Sequence, residues 1–253
     1  MPRTVPFTVL EEAVYNLEQT FTPWNIQLEL ETSEVIDTER LESSVRTACD
    51  RHPLARARKR PASALDTDYI WELPGEVDAV PITECEGDTG ITDARRTFYG
   101  EPFDLSEAPP FRVLVVRGGG ADGGDRLCLA TSHVPADGVG AVRFLRTVCQ
   151  AYRGQVQTER SVSFGESRAL IEESRASGPA ERVSLLSAAT SHLGKLFDRP
   201  ARVAADTTPG KSGWGFVHRT VEEGLFESLL ANRPEDVSVN DLLVAAAHLT
   251  VAA

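Results

Sequence analysis

No stretch of the 253 residues runs for about 18 uninterrupted apolar positions, so no membrane-spanning helix is expected. The opening residues, MPRTVPFTVLEEAVYNLEQ, hold no apolar core behind their single arginine. A secretory leader is therefore not expected, and the cytoplasm is the expected compartment. None of the four cysteines, Cys49, Cys85, Cys128 and Cys149, stands in a CxxC pair, so neither a zinc motif nor a redox motif is indicated. Buried free thiols are expected instead, with no metal and no redox cofactor. Positive charge is short as well: lysine stands only at 59, 195 and 211, and 26 Lys and Arg against 38 Asp and Glu leave a formal charge of -12. Nucleic acid and anionic membranes are bound through a basic face, so neither is an expected partner. The sequence also has no GxSxG elbow, no internal repeat and no low-complexity tract.

What is present suits a globular protein with material for a sizeable core: 41% of residues are hydrophobic and 25% charged. One segment departs from the acidic balance. RHPLARARKR, residues 51–60, gathers Arg51, Arg56, Arg58, Lys59 and Arg60. Such a run is more often a solvated loop or strand edge; the other use is contact with phosphate, a carrier protein or an acidic partner.

Periodicity outlines the elements. DTERLESSVRTACDRHP places Leu41, Val45, Ala48 and Cys49 at helical spacing, with Asp37 or Thr38 as N-cap and Pro53 as the stop. YIWELP and AVPITEC read as short strands, and TDARRTFYGEPFDLSEAPP as a short helix followed by a proline-rich loop. Two strands follow, 111–118 and 125–133. The GGADGG between them reads as a mobile hairpin loop, since neither the helix nor the lysine of a phosphate loop comes after it. Val139, Val142, Leu145, Val148, Cys149 and Tyr152 recur at helical steps up to Gly154, which predicts a helix laid on the sheet. Residues 166–176 and 180–197 read as helices, DRPARVAADTTPGKSG as a linker, GFVHRTVE as a strand and EGLFESLLANR as a helix. A last helix has Ser238 at its N-cap and Asp241 at N3, and it is still apolar at Ala253, with no stop signal.

Between the second strand of the hairpin and its following helix lies SHVPADGVG, residues 132–140. His133 ends the strand and Pro135 prevents its continuation, which puts an imidazole at the sheet's end, where a substrate can reach it and a proton can be accepted. Asp137 can cap the helix or pair with an arginine, and Gly138 lets the backbone turn and another group come close. The plainer reading of these residues is a hydrogen-bonded structural histidine beside an ordinary Asp-Gly turn.

This stretch resembles the HHxxxDG motif of the chloramphenicol acetyltransferase-like superfamily, which includes the condensation domains of nonribosomal peptide synthetases and polyketide-associated acyltransferases. Further segments match in order. RHPLARAR resembles the family's RHPxLR, PFDLSEAPPFRVLVVR resembles its FDLxxxPPxR, and HRTVEEGLFESLLANRPEDVSVNDLLVAAAHLTVAA is similar to the opening of its second lobe. The resemblance implies an α/β chain: a two-layer sandwich lobe over 1–200, a linker over 201–212, and the start of a similar second lobe over 213–253. It implies a tunnel between lobes that admits an acyl thioester from one face and an acceptor from the other. His133 matches the second histidine of the motif and would accept the proton of the attacking amine, alcohol or thiol. Asp137 matches the aspartate that pairs with an arginine of the second lobe, and Gly138 the glycine beside the tunnel.

The motif's first histidine is Ser132 here, a departure from a strictly typical condensation domain. Members carry two full lobes, so the missing C-terminal lobe, in this or another chain, is an expected partner. The others are coenzyme A or the phosphopantetheine arm of an acyl or peptidyl carrier protein, either of which would present the thioester as substrate. Natural-product biosynthesis is the implied setting.

Two rival readings stand beside acyl transfer. Ser132, His133 and Asp137 suggest a hydrolase triad, but neighbours along a strand point to opposite faces, so Ser132 is badly placed to donate to His133. A non-catalytic condensation-like module that recruits a carrier protein or partner enzyme is the other. His52, His192, His218 and His248 read as core or surface residues, and Trp24, Trp71 and Trp214 as packing.

Overall fold

The computed structural model describes residues 3–20, 24–61, 69–87, 91–155, 168 and 221–252. These fall into two units, within 1–175 and within 176–253, and each is described by itself. The linker expected at 201–212, the strand expected at 215–222 apart from its last two residues, and the helices expected at 166–176 and 180–197 apart from Arg168 lie outside the described residues.

In chain order the first unit runs β1 (Arg3–Pro6), α1 (Val9–Thr20), β2 (Asn25–Glu31), α2 (Thr38–Arg51), β3 (Arg58–Lys59), β4 (Ile70–Leu73), β5 (Ile82–Glu86), α3 (Ile91–Gly100), β6 (Phe111–Arg117), β7 (Arg126–Ser132) and α4 (Gly138–Tyr152). The strands form two sheets, ordered β1-β4-β3 and β2-β7-β6-β5. All pairings are antiparallel except β5 with β6.

Two-residue alternation gives the larger sheet its faces. Phe111, Val113 and Val115 of β6, together with Leu127 and Leu129 of β7, meet Leu41, Val45, Ala48 and Cys49 of α2 and Phe144 and Val148 of α4 in one buried cluster. This is the two-layer sandwich. Each large aliphatic side chain buried there stabilises the fold by about 1.5–3 kcal/mol. On the opposite face, Glu29 of β2 accepts hydrogen bonds from Arg95 and Tyr99 of α3 and pairs with Arg126 of β7. Burial alone would raise the Glu29 carboxyl, but these donors outweigh it and hold the group below its ordinary range.

A second cluster gathers Phe7, Val14, Ala57, Trp71, Leu73, Leu105 and Val134, joining the small sheet to the residue after His133. Ahead of α1, the Thr8 hydroxyl accepts the Glu11 N–H at 3.2 Å and Glu11 accepts the Thr8 N–H at 2.5 Å, a reciprocal N-terminal cap. At α2 the cap is Asp37, whose side chain accepts the Arg40 N–H at 3.0 Å.

The structure adds detail to two expectations here. The 119–124 segment is packed at its base, with Gly124 buried and Asp122 and Gly123 exposed at the tip. A Cβ on Gly124 would lie 2.2 Å from the Thr32 carbonyl oxygen, and Asp125, 1% exposed, accepts from the Ile36 and Gly118 N–H groups and from Arg117. The glycines are required for close approach of backbone to backbone. On α4 the buried face is Ala141, Phe144, Thr147 and Val148, while Val139 and Val142 are 58% and 53% exposed. Two apolar stripes overlap on this helix, and the one carrying small residues is the one that fits against α2 and the sheet.

The second unit contains α5 (Glu223–Ala231) and α6 (Val239–Ala252). Ser238 caps α6 as expected: its hydroxyl accepts the Asp241 N–H at 3.1 Å, and Asp241 accepts the Ser238 N–H at 2.8 Å. No helix of the described residues is long and apolar enough to cross a membrane.

Candidate functional site

The segment after β7 is fixed by its backbone and leaves one side chain uncommitted. Ser132 donates its N–H to the Pro110 carbonyl at 3.0 Å, and His133 donates its own to the Trp24 carbonyl at 3.0 Å, which extends the β2–β7 ladder by one step. Val134 is buried in the second cluster and donates its N–H to the Ser132 hydroxyl at 3.2 Å. His133, half-buried between these anchors, presents its ring 6.0 Å from that of Trp24 at an interplanar angle of 42°. A chain anchored on both sides of an accessible imidazole can position a base with little loss of order.

Ser132 is fully buried, its hydroxyl accepting the Val134 N–H, so that hydroxyl is out of a substrate's reach. The hydrolase-triad reading fails on this burial. Asp137 is the N-cap of α4: its Oδ1 accepts the Gly140 N–H at 2.6 Å. Gly138 opens the helix without a left-handed φ, and a Cβ there would meet nothing within 4 Å. The turn expected of Gly138 is therefore not what it supplies; the space in front of it is.

Two residues of this neighbourhood were not singled out as site residues by the sequence. Trp24, expected as packing, is 45% exposed and lies beside His133. Glu18 stands in the last turn of α1, both carboxylate oxygens buried and without a hydrogen-bond partner. Burial raises its carboxyl above the ordinary range, against the Trp24 N–H and the charge of His133, which favour the ionised form. A readable signal existed: α1 has no basic residue in its last turn, and a carboxylate at that end opposes the helix dipole.

The basic cluster is largely put to internal use. Arg56 donates to the Cys49 and Pro74 carbonyls, Arg58 pairs with Glu72 at 2.9 Å, and the Lys59 ammonium lies 5.4 Å from the ring centroids of both Tyr15 and Tyr69. The Arg60 N–H donates to the Ile70 carbonyl. Residues 58–59 lie on the edge strand β3 of the small sheet, and the Arg56 guanidinium is engaged with backbone carbonyls. His52 contacts the Thr147 hydroxyl at 2.9 Å; burial, then the nearby Arg51 and Arg143, keep its pKa below the ordinary value. All four cysteines are free, and burial pushes the Cys49 thiol up to about 12 and Cys128 up to about 11, which leaves neither nucleophilic near neutrality. Among the described residues no three His, Cys, Asp or Glu side chains converge to hold a metal ion.

No family model matches the chain. An uncharacterized protein of Mycobacterium tuberculosis is 32% identical over 256 residues, a match that takes in 99% of this chain and 57% of that protein. The chain thus spans little more than half the length of this curated relative. Among solved structures, the chain is similar to the X-domain in its complex with OxyB from teicoplanin biosynthesis, at 21% identity and a TM-score of 0.55 over 68% of this chain and 38% of that one. It is also similar to the starter condensation domain of rhizomide synthetase, seen as a mutant in complex with C8-CoA and Leu-SNAC, at 16% identity and a TM-score of 0.54 over 67% of this chain and 40% of that one. The fold of the chain is that of these domains, the chloramphenicol acetyltransferase-like α/β fold.

Proposed function

We propose, with the condensation-domain fold as premise, that this chain is part of an acyltransferase that forms an ester or amide from an acyl thioester. The observation that carries the reading is His133: an accessible imidazole at the end of β7, held by the Trp24 carbonyl on one side and buried Val134 on the other. The attacking amine or alcohol adds to the thioester carbonyl while His133 takes its proton. The tetrahedral adduct then expels the thiolate, and the C–S bond breaks as the new C–N or C–O bond is kept. The proton on His133 passes to the departing sulfur. General-base assistance of this kind contributes typically about 10²- to 10⁴-fold. The donor arrives on coenzyme A or on a carrier protein's phosphopantetheine arm, chemistry supported by the C8-CoA held by the similar rhizomide domain. The reaction belongs to the whole protein in the cytoplasm, with residues 1–200 as one lobe, 201–212 as linker and 213–253 as the start of the other.

The test incubates the full-length protein with an acyl-CoA series and a mixed set of amines and alcohols, reading thiol release and product mass. Acyl-dependent thiol release that His133→Ala removes supports the reading. A rate unchanged by that substitution overturns it.

A second reading has one observation in its favour. The similar X-domain was solved in complex with OxyB, so a chain of this fold can serve as a docking module. Absence of thiol release together with stoichiometric capture of a carrier protein would select it.

A further inference from the structure

Toward its His133 end, the β2–β7 ladder changes in what its rungs do. At the rung of Ile26 and Thr131, Thr131 is 8% exposed and its hydroxyl donates to the Pro110 carbonyl. At the rung of Asn25 and Ser132, the Asn25 amide donates to the Tyr99 and Glu101 carbonyls and Ser132 is fully buried. These side chains are spent on the fold. One step further out stand Trp24 and His133, joined by the His133 N–H on the Trp24 carbonyl at 3.0 Å. Opposed residues of an antiparallel pair project to the same side, and here the two rings lie 6.0 Å apart. This end rung is open: the indole is 45% exposed and the imidazole half-buried.

The backbone and the side chain of Trp24 do separate things. What holds His133 is the carbonyl, which any residue at this position supplies. Tryptophan is highly buried on average, as Trp71 is in the same unit at 0% exposure. An indole left in water beside a candidate base is apolar surface within a substrate's reach. The chemistry decides which part of the substrate meets it. For His133 to take its proton, the acceptor's nitrogen or oxygen comes within about 2.6–3.2 Å of an imidazole nitrogen. The acceptor's first carbons then fall in the shell around the imidazole where the indole stands. The lone pair that attacks points away from the N–H or O–H facing His133, so the acyl carbon lies beyond the attacking atom by about 3–3.5 Å.

We propose that the Trp24 indole is a specificity-determining surface for the acceptor, taking an apolar, ring-sized group, aromatic or branched aliphatic, carried close to the attacking nitrogen or oxygen. This rests on the acyl-transfer reading and names the acceptor class within it. An indole face favours apolar area and a second ring against it, and each methylene taken out of water strengthens binding by about fourfold. A small polar acceptor gains nothing there. The donor's acyl chain, on the far side of the reacting carbonyl, is not read by Trp24.

Trp24→Ala removes the surface and keeps the carbonyl that anchors His133. In the full-length protein, with octanoyl-CoA as donor, the variant should raise KM on the order of tenfold for phenethylamine and phenethyl alcohol, with kcat nearly unchanged. Neither constant should move for ethylamine and ethanol. A loss confined to KM is a loss of binding that ground and transition states share. Trp24→Phe should restore most of the selectivity, and acetyl-CoA in place of octanoyl-CoA should leave the ratio between acceptors as it was. Fluorine NMR of protein labelled with fluorotryptophan reads the contact without turnover. The resonance missing from Trp24→Phe should shift on addition of phenethylamine in the presence of coenzyme A, and should stay in place with ethylamine. Acceptor selectivity unchanged in Trp24→Ala overturns the proposal, as does a Trp24 resonance that moves with octanoyl-CoA and not with the acceptor. A lowered melting temperature with unchanged selectivity also overturns it, since the indole would then be packing for another part of the full-length protein. If no donor and acceptor pair releases thiol, the acyl-transfer reading fails by itself, and the fluorine shift still decides whether Trp24 takes the apolar amine.

Discussion

Asp137 closes the first turn of α4 by accepting the backbone N–H of Gly140 on Oδ1 at 2.6 Å. An exposed N-cap of this kind stabilises a helix by about 1 kcal/mol, and asparagine serves as well as aspartate. Asp137→Ala should therefore lower the unfolding free energy by about 1 kcal/mol in urea titration, while Asp137→Asn should leave it nearly unchanged. The resemblance assigns this carboxylate an arginine partner in the second lobe. On that account Asp137→Asn should still slow acyl transfer by the whole protein, separating the charge from the cap in a single comparison.

His133→Ala separates chemistry from stability in the same way. Its backbone N–H is retained by alanine, and its ring is half-buried, with Trp24 as its aromatic neighbour. Thermal unfolding should shift by no more than about 0.5 kcal/mol, as for a surface substitution. Transfer should fall about 10²- to 10⁴-fold. A large stability loss with little change in rate would show the histidine to be architectural.

Two glycines should respond oppositely to alanine. At Gly124 a Cβ would press on the Thr32 carbonyl oxygen at 2.2 Å, against backbone that cannot yield cheaply, so Gly124→Ala should destabilise by about 1–3 kcal/mol or more. At Gly138 a Cβ meets nothing within 4 Å and the position is helical. Gly138→Ala should be neutral or stabilising by up to about 1 kcal/mol. If the open space there admits substrate, the same variant should raise KM for the acceptor or the donor. Denaturation curves and initial rates on both variants check this.

Asp125 ties the end of β6 and the start of β7 to the segment leading into α2. Burial acts to raise its carboxyl, but the Ile36 and Gly118 N–H groups and Arg117 outweigh it, so its folded-state pKa is depressed. A depressed carboxyl contributes stability that is present above its unfolded-state pKa and lost as pH falls through the folded value. Part of the acid-induced loss of stability should therefore disappear in Asp125→Asn. At neutral pH that variant should be weaker than the parent by about 3 kcal/mol, since Arg117 loses its buried partner.

Strong local signals were legible in the sequence. The caps at Asp37 and Ser238 follow from residue type and the periodic run beside them, and the end of β7 follows from Pro135 standing two residues beyond His133. The sequence reading assigns nothing before Asp37, although β2 alternates Ile26, Leu28 and Leu30 with Gln27, Glu29 and Glu31. Its half-exposed positions blur that period, and α1 displays Val9 and Leu10 outward. On α4, Leu145, Val148 and Tyr152 of the expected stripe pack on the core while Val139 and Val142 do not, because valines weigh more in a hydrophobic pattern than the Ala141 and Thr147 that close packing prefers. Glu18 and Trp24 escaped for another reason. Trp24 matters through its contact with His133, which residue order alone does not encode, and Glu18 through a burial that its place on the helix only hints at.

Trp24 meets His133 across a strand pair whose members stand more than a hundred residues apart, Asn25 lying opposite Ser132. The β6–β7 hairpin closes locally. β2 can join it only after the intervening chain has been brought home, and closure becomes slower as the span grows. Until then His133 has a strand to end but no Trp24 carbonyl to hold it. Order at His133 is thereby timed by folding: a chain that has closed only the β6–β7 hairpin carries the histidine without the carbonyl that fixes its backbone.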